Sequence, residues 1–174
     1  MRILTVFYSL EGNCRALAEV IREAVGGDVE ALRPEKEIPS RGFLRFLIGG
    51  WMTLFGKPCP NRPLADNVAD FDLIFIGTPV WAFRMSPPVR RFLAETDWTD
   101  RTVALYAMHG GGPGKTLRAM RELIESRGGR VVSAADFLDL REKNADATRA
   151  KAAEWAKDAV KGAECVSTAS GQKP

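Results

Sequence analysis

Three stretches of this chain carry residue types that can do chemistry, and each stands where an apolar run gives way to helical periodicity. The first is Ser9-Leu10-Glu11-Gly12-Asn13-Cys14. At the start of a helix, free N–H groups and the helix dipole favour a phosphate, and Gly12 lets the backbone approach it closely. Ser, Gly and Asn also serve any strand-to-helix turn as capping residues, so capping alone is the competing reading of this loop. The second stretch, Thr78-Pro79-Val80-Trp81-Ala82-Phe83, brings a hydroxyl and two aromatic rings together. Trp81 offers a broad apolar face on which a flat ligand can stack. The competing reading packs Trp81 and Phe83 under a neighbouring loop, yet aromatics at the carboxyl end of a strand are poorly placed for a sheet core. The third stretch is His109-Gly110-Gly111-Gly112-Pro113-Gly114-Lys115-Thr116. Its last three residues match the end of the nucleotide-binding pattern G-x-x-x-x-G-K-[ST], but His109 stands where that pattern opens with glycine. No later strand shows an obvious terminal metal-binding aspartate, which counts against a P-loop nucleotide hydrolase. A plain glycine-rich connection is the third possibility.

These loops need a scaffold, and the apolar pattern predicts one. Arg2–Tyr8, Asp28–Leu32, Leu73–Thr78, Thr102–Met108 and Arg130–Leu138 read as strands, three of them apolar enough to be buried on both faces. Between them, apolar residues recur at helical spacing from Asn13 to the Gly26-Gly27 stop, over Pro87–Glu95 with proline in the first turn, over Gly114–Arg127 and over Ala145–Lys161. Strands alternating with helices predict a parallel sheet covered on both faces, since parallel neighbours need right-handed crossovers. In such a sheet a ligand binds outside the carboxyl ends of the strands, where the chemistry-bearing loops fall. Glu37–Pro63 interrupts the rhythm with Phe43, Phe46, Leu47, Trp51, Leu54 and Phe55 and reads as a short amphipathic helix. Sheet cover, a roof over the site, a dimer contact and a membrane-surface contact are its possible uses. Residues 163–174 read as a disordered tail, leaving 1–162 as one domain.

Composition narrows the classes further. A chain of 174 residues, 45% hydrophobic, buries a full core without disulfide or metal staples. A formal charge of +3 with both signs interspersed argues against nucleic acid as the partner. Cys14, Cys59 and Cys165 form no CxxC pair and have one histidine in the whole chain to join them, so no metal set is predicted. The odd cysteine count suits a reducing compartment, and no apolar run approaches the ~18 residues of a membrane span, so a cytoplasmic protein is expected.

The first loop resembles the FMN-phosphate loop of flavodoxins, commonly written S/T-x-T-G-x-T: Ser9, Gly12 and Asn13 agree, Glu11 stands at a threonine position, and Cys14 replaces a second hydroxyl residue. A carboxylate ~6 Å from a phosphate would cost about 3 kcal/mol at an effective dielectric near 20, a repulsion that water or the neighbouring Arg15 can offset. The stretch from Phe71 to Val89 is similar, nearly residue for residue, to the flavodoxin-like pattern YDLIIIGTPVW…MPPPV. The resemblance covers roughly Arg2 to Lys161. It implies a doubly wound five-stranded α/β fold with three layers and strand order 2-1-3-4-5, FMN as the cofactor, and redox chemistry at the flavin. On that footing Ser9 to Cys14 hold the phosphate, Thr78 to Phe83 lie along the ribityl chain and ring, and His109 to Gly112 meet the N1 and O2 edge. His109 would add a donor or a cation there.

Two redox functions follow from the resemblance. One is an electron-transfer flavoprotein docking to a redox partner protein. The other is an FMN-dependent NAD(P)H:quinone-type oxidoreductase, in which Arg84, His109 and Lys115 meet the phosphates or a substrate carboxylate. The sequence pI of about 8.9 departs from the acidity of familiar flavodoxins and suits acidic partners or a small substrate. A flavin-free binding protein is a third class, motivated by Glu11 and Cys14, and a homodimer is compatible with each.

Overall fold

The computed structural model describes residues 1–35, 60–140 and 145–170. Its strands are β1 (Ile3–Phe7), β2 (Asp28–Ala31), β3 (Leu73–Trp81), β4 (Arg84–Met85), β5 (Thr102–His109) and β6 (Arg130–Leu138). The helices are α1 (Asn13–Val25), α2 (Pro87–Glu95), α3 (Thr116–Glu125) and α4 (Ala145–Ser170). Five strands run parallel in the order β2-β1-β3-β5-β6, and the two-residue β4 folds back antiparallel on β3. This is the predicted doubly wound order, with one strand added at the edge of the site. Most of the predicted amphipathic segment Glu37–Pro63 lies outside the described residues. At its ends, the Glu35 amide donates to the Pro60 carbonyl and the Arg62 amide to the Arg33 carbonyl, so departing and returning chain lie side by side.

Alternation along the strands builds two cores. Leu4, Val6, Tyr8, Ile74, Ile76, Val103 and Leu105 face α2 and α3, while Ile3, Phe7, Leu73, Phe75, Ala104, Tyr106 and Met108 face α1 and α4. Every residue of β1 and the first six of β3 are buried, as expected of strongly apolar central strands in a parallel sheet. On the second face, small residues Ala152, Ala156, Ala159 and Ala163 of α4 let it lie close to Leu17, Ala18 and Ile21 of α1. Trp155 closes the gap between helix and sheet, edge-on to Phe75 and Phe137 with centroids 5.6 Å away in each case, and its indole N–H donates to the Ser133 hydroxyl.

Two predicted boundaries are corrected. Helix α4 continues past Lys161 to Ser170, so Ala163–Ser170 is helical and not a disordered tail; residues 171–174 lie outside the described residues. The reason is that Ala163, one turn beyond Ala159, keeps the buried stripe of the helix on the sheet. At the other boundary, β3 does not stop at Thr78 but runs on to Trp81 and turns back. Ala82 and Phe83 form the two-residue turn, with φ of 48° and 61°. Left-handed backbone at both positions matches the twist of the paired strands but strains residues that carry Cβ atoms.

Candidate functional site

A cleft of about 510 Å³ opens at the carboxyl ends of β1, β3, β5 and β6, within the roughly 300–1,000 Å³ usual for small-ligand sites. Three groups of residues line it: Ser9, Leu10, Glu11, Asn13 and Cys14 from the first loop, Pro79 to Ala82 from the second, and Met108, His109, Gly110 and Asp139 from the strand ends beside them. The predicted loops therefore converge. Within them, Gly12, Thr78, Phe83, Gly111 and Gly112 do not line the cleft.

The first loop is shaped by Gly12, whose φ of 94° is left-handed and open to glycine. The Gly12 amide donates to the Ser9 hydroxyl oxygen at 3.1 Å, which leaves the Ser9 proton free to be donated elsewhere. The Gly12 carbonyl accepts from the Ala16 amide at 2.9 Å and so begins α1. By helix geometry the amides of Asn13, Cys14 and Arg15 have no carbonyl one turn back, and no acidic residue occupies that first turn. These donors and the helix dipole suit a phosphate. Cys14 is buried, and burial, reinforced by the charge of Asp139, pushes its thiol well above the ordinary cysteine range. It stays a neutral, weak donor. Glu11 is exposed at the lip.

The second loop holds its tryptophan from behind. Tyr8 meets Trp81 edge-on, with centroids 5.8 Å apart and planes at 82°. Thr78 is turned inward: its hydroxyl accepts from the Ser86 amide at 3.0 Å and lies 3.1 Å from the Ser86 hydroxyl, clamping the base of the β3–β4 hairpin. Phe83 is turned outward and is 65% exposed. The strained turn is fastened by the third loop. The Lys115 amide donates to the Phe83 carbonyl at 3.2 Å, and a Cβ on Gly114 would stand 2.5 Å from the Cβ of Phe83, so only glycine permits the approach. Arg84, next along the chain, and Lys115 are both exposed.

His109 lines the cleft, as expected of the third loop, and its ring is held on both sides. Its Nδ1 accepts from the Gly112 amide at 2.9 Å, so the ring proton sits on Nε2 and is donated to Asp136 at 2.9 Å. Both nitrogens are engaged within the protein, and the Gly112 amide is engaged with them. The imidazole therefore braces the glycine turn, and Gly110 is the glycine that lines the cleft. Met108 and Asp139 were missed from the sequence. Met108 looked like strand core, but Asp139 directly follows the last predicted strand, where the strand-end rule places ligand loops. Among the described residues no cluster could hold a metal ion, and no helix is long and apolar enough to cross a membrane.

A doubly wound α/β sheet with a phosphate-type helix start and a tryptophan at its strand ends is the flavodoxin-like class of mononucleotide-binding proteins. A family model described as NADPH-dependent FMN reductase matches residues 1–143, and the chain belongs to that family. Solved structures with the same fold include a putative flavoprotein from Bacteroides uniformis (TM-score 0.71, 18% identity, 90% of this chain and 97% of that one). Others are a flavoprotein in complex with FMN from Lactobacillus acidophilus (0.67, 19%, 84% and 97%) and a flavodoxin, WrbA-like protein from Agrobacterium tumefaciens (0.62, 17%, 92% and 98%). Family membership carries FMN as the cofactor and flavodoxin-like redox function. The cleft fits FMN in size and lining, since residues of the α1 helix start, which has no acidic residue in its first turn, and the indole of Trp81 face the same space.

Proposed function

We propose that this chain is an FMN-dependent oxidoreductase that takes electrons from NADPH and delivers them to a small acceptor of the quinone type. Bound in the cleft, FMN supplies one- or two-electron chemistry at its isoalloxazine ring. The amides of Asn13, Cys14 and Arg15, with the Ser9 hydroxyl, bind the phosphate. Trp81, pressed from behind by Tyr8, presents its face to the ring, and Pro79 to Ala82 follow the ribityl chain with backbone groups. Gly110 lets the backbone approach the polar ring edge where a side chain would hold it off.

The observation that carries the reading is the convergence of a helix-start anion site and a braced tryptophan in one cleft of a family member. A charged small donor suits the neighbouring turn: Phe83 is exposed, Arg84 follows it in the chain and the Lys115 backbone is bonded to it, so two exposed cations are available for the phosphates of a dinucleotide. The test is nicotinamide oxidation by the FMN-loaded protein, with and without a quinone. Oxidation of NADPH that rises with quinone is expected. Reduction of the bound FMN by dithionite, with neither NADPH nor NADH consumed, would replace this reading by that of an electron carrier for a partner protein.

A further inference from the structure

Tyr106 lies outside the cleft, yet it reaches the phosphate loop. It stands on β5 directly opposite Gly77 of β3, on the sheet face that carries α1. A Cβ at Gly77 would fall 1.9 Å from Cζ and 2.3 Å from the hydroxyl oxygen of Tyr106, so the ring lies across the backbone of β3 in space that any other residue would fill. Leaning that way, its hydroxyl donates to the Cys14 carbonyl at 3.1 Å. The ring is fully buried and backed edge-on by Trp155, with centroids 6.4 Å apart. A buried hydroxyl is costly without a partner, and a phenylalanine would fill the same space, so the placing of this oxygen is explained by the carbonyl it meets.

That carbonyl belongs to the peptide plane joining Cys14 to Arg15, and in a planar trans peptide the C=O and N–H point in opposite directions. Cys14 lies in the first turn of α1, where its carbonyl has a lone pair to spare beyond the intrahelical bond. Holding the oxygen from below fixes the plane and aims the Arg15 amide out of the helix start. A hydrogen bond to the oxygen also polarises the amide and strengthens its N–H as a donor. We infer that Tyr106 is a positioning residue for the cofactor phosphate, acting through the Cys14–Arg15 peptide, and that Gly77 is glycine to let it reach there. This rests on the placing of the FMN phosphate at the start of α1.

The test compares FMN with riboflavin, which share the ring and ribityl chain and differ in the phosphate. Apoprotein of the wild type, Tyr106→Phe and Gly77→Ala is titrated with both by quenching of flavin fluorescence. Tyr106→Phe is expected to weaken FMN roughly three- to ten-fold, the scale of one hydrogen bond, and to leave riboflavin unchanged. Gly77→Ala displaces the ring and should lower the FMN-to-riboflavin ratio at least as far. At saturating FMN, the phosphorus NMR signal of the bound phosphate should move in Tyr106→Phe, a readout that general loosening of the core does not shift selectively. An unchanged affinity ratio with an unmoved phosphorus signal, or equal losses for both flavins, would overturn the role of Tyr106 while leaving the phosphate site intact. A wild type that binds riboflavin as tightly as FMN would overturn the phosphate site itself, and the role of Tyr106 with it.

Discussion

The two nitrogens of His109 have separate partners, and two substitutions can remove them one at a time. Asparagine carries its side-chain oxygen where Nδ1 sits, so His109→Asn keeps an acceptor for the Gly112 amide and loses Asp136. Glutamine reaches the position of Nε2, so His109→Gln keeps Asp136 and releases Gly112. The His109 side chain is 8% exposed and that of Asp136 45%, which places the two bonds in different surroundings. The Gly112 bond is neutral and largely shielded, worth about 1 kcal/mol net. The Asp136 bond has a charged acceptor, worth about 1.5–3 kcal/mol when shielded, but half-exposure brings it to the low end of that range. Denaturant melts of the apoprotein should therefore show losses of similar size, about 1–1.5 kcal/mol, for the two variants. FMN binding should separate them. Gly112 has a φ of 119°, a conformation with little hold of its own, and once its amide is released the turn that offers Gly110 to the cleft loses its shape. His109→Gln should weaken FMN about three- to ten-fold, matching the lost bond, while His109→Asn stays near the wild type. Equal FMN affinities for the two variants, or a weaker one for His109→Asn, would refute the brace and return His109 to direct contact with the flavin.

Two further outcomes follow from the same cleft. Trp81→Ala should weaken FMN and riboflavin alike by about 1–3 kcal/mol, because the indole faces the ring that both share; unchanged affinity and flavin fluorescence would remove Trp81 from the site. Cys14 is buried and its thiol is pushed upward, so its thiolate is scarce at neutral pH, whereas Cys165 is exposed. Iodoacetamide at about pH 8 should label Cys165 and spare Cys14 until the chain is unfolded, as peptide mapping by mass spectrometry would show; labelling of native Cys14 would contradict its burial.

The linear chain already determined a great deal. Short, strongly apolar runs such as Ile3–Phe7 and Leu73–Ile76, rich in β-branched and aromatic residues, read as strands buried on both faces, and the helical periodicity between them calls for crossovers, so the parallel sheet and its layers were legible from hydrophobic spacing. The strand-end rule then carries the three loops to one place before any coordinate is known. Direction within those loops was decided elsewhere. Thr78 turns in and Phe83 turns out because β3 runs on into a hairpin whose left-handed turn is held by Gly114 and Lys115, some thirty residues away in sequence. His109 became a brace because Asp136, on the neighbouring strand, stands at bonding distance from one nitrogen and Gly112 from the other. Tyr106 and Gly77 looked like ordinary strand residues, and only their register across β3 and β5 brings a hydroxyl to the Cys14 carbonyl. Periodicity is a property of neighbours along the chain and reads out faces and elements. A hydrogen bond with a specific partner depends on angstrom-scale placement between distant segments, which packing of the whole sheet and its helices alone sets.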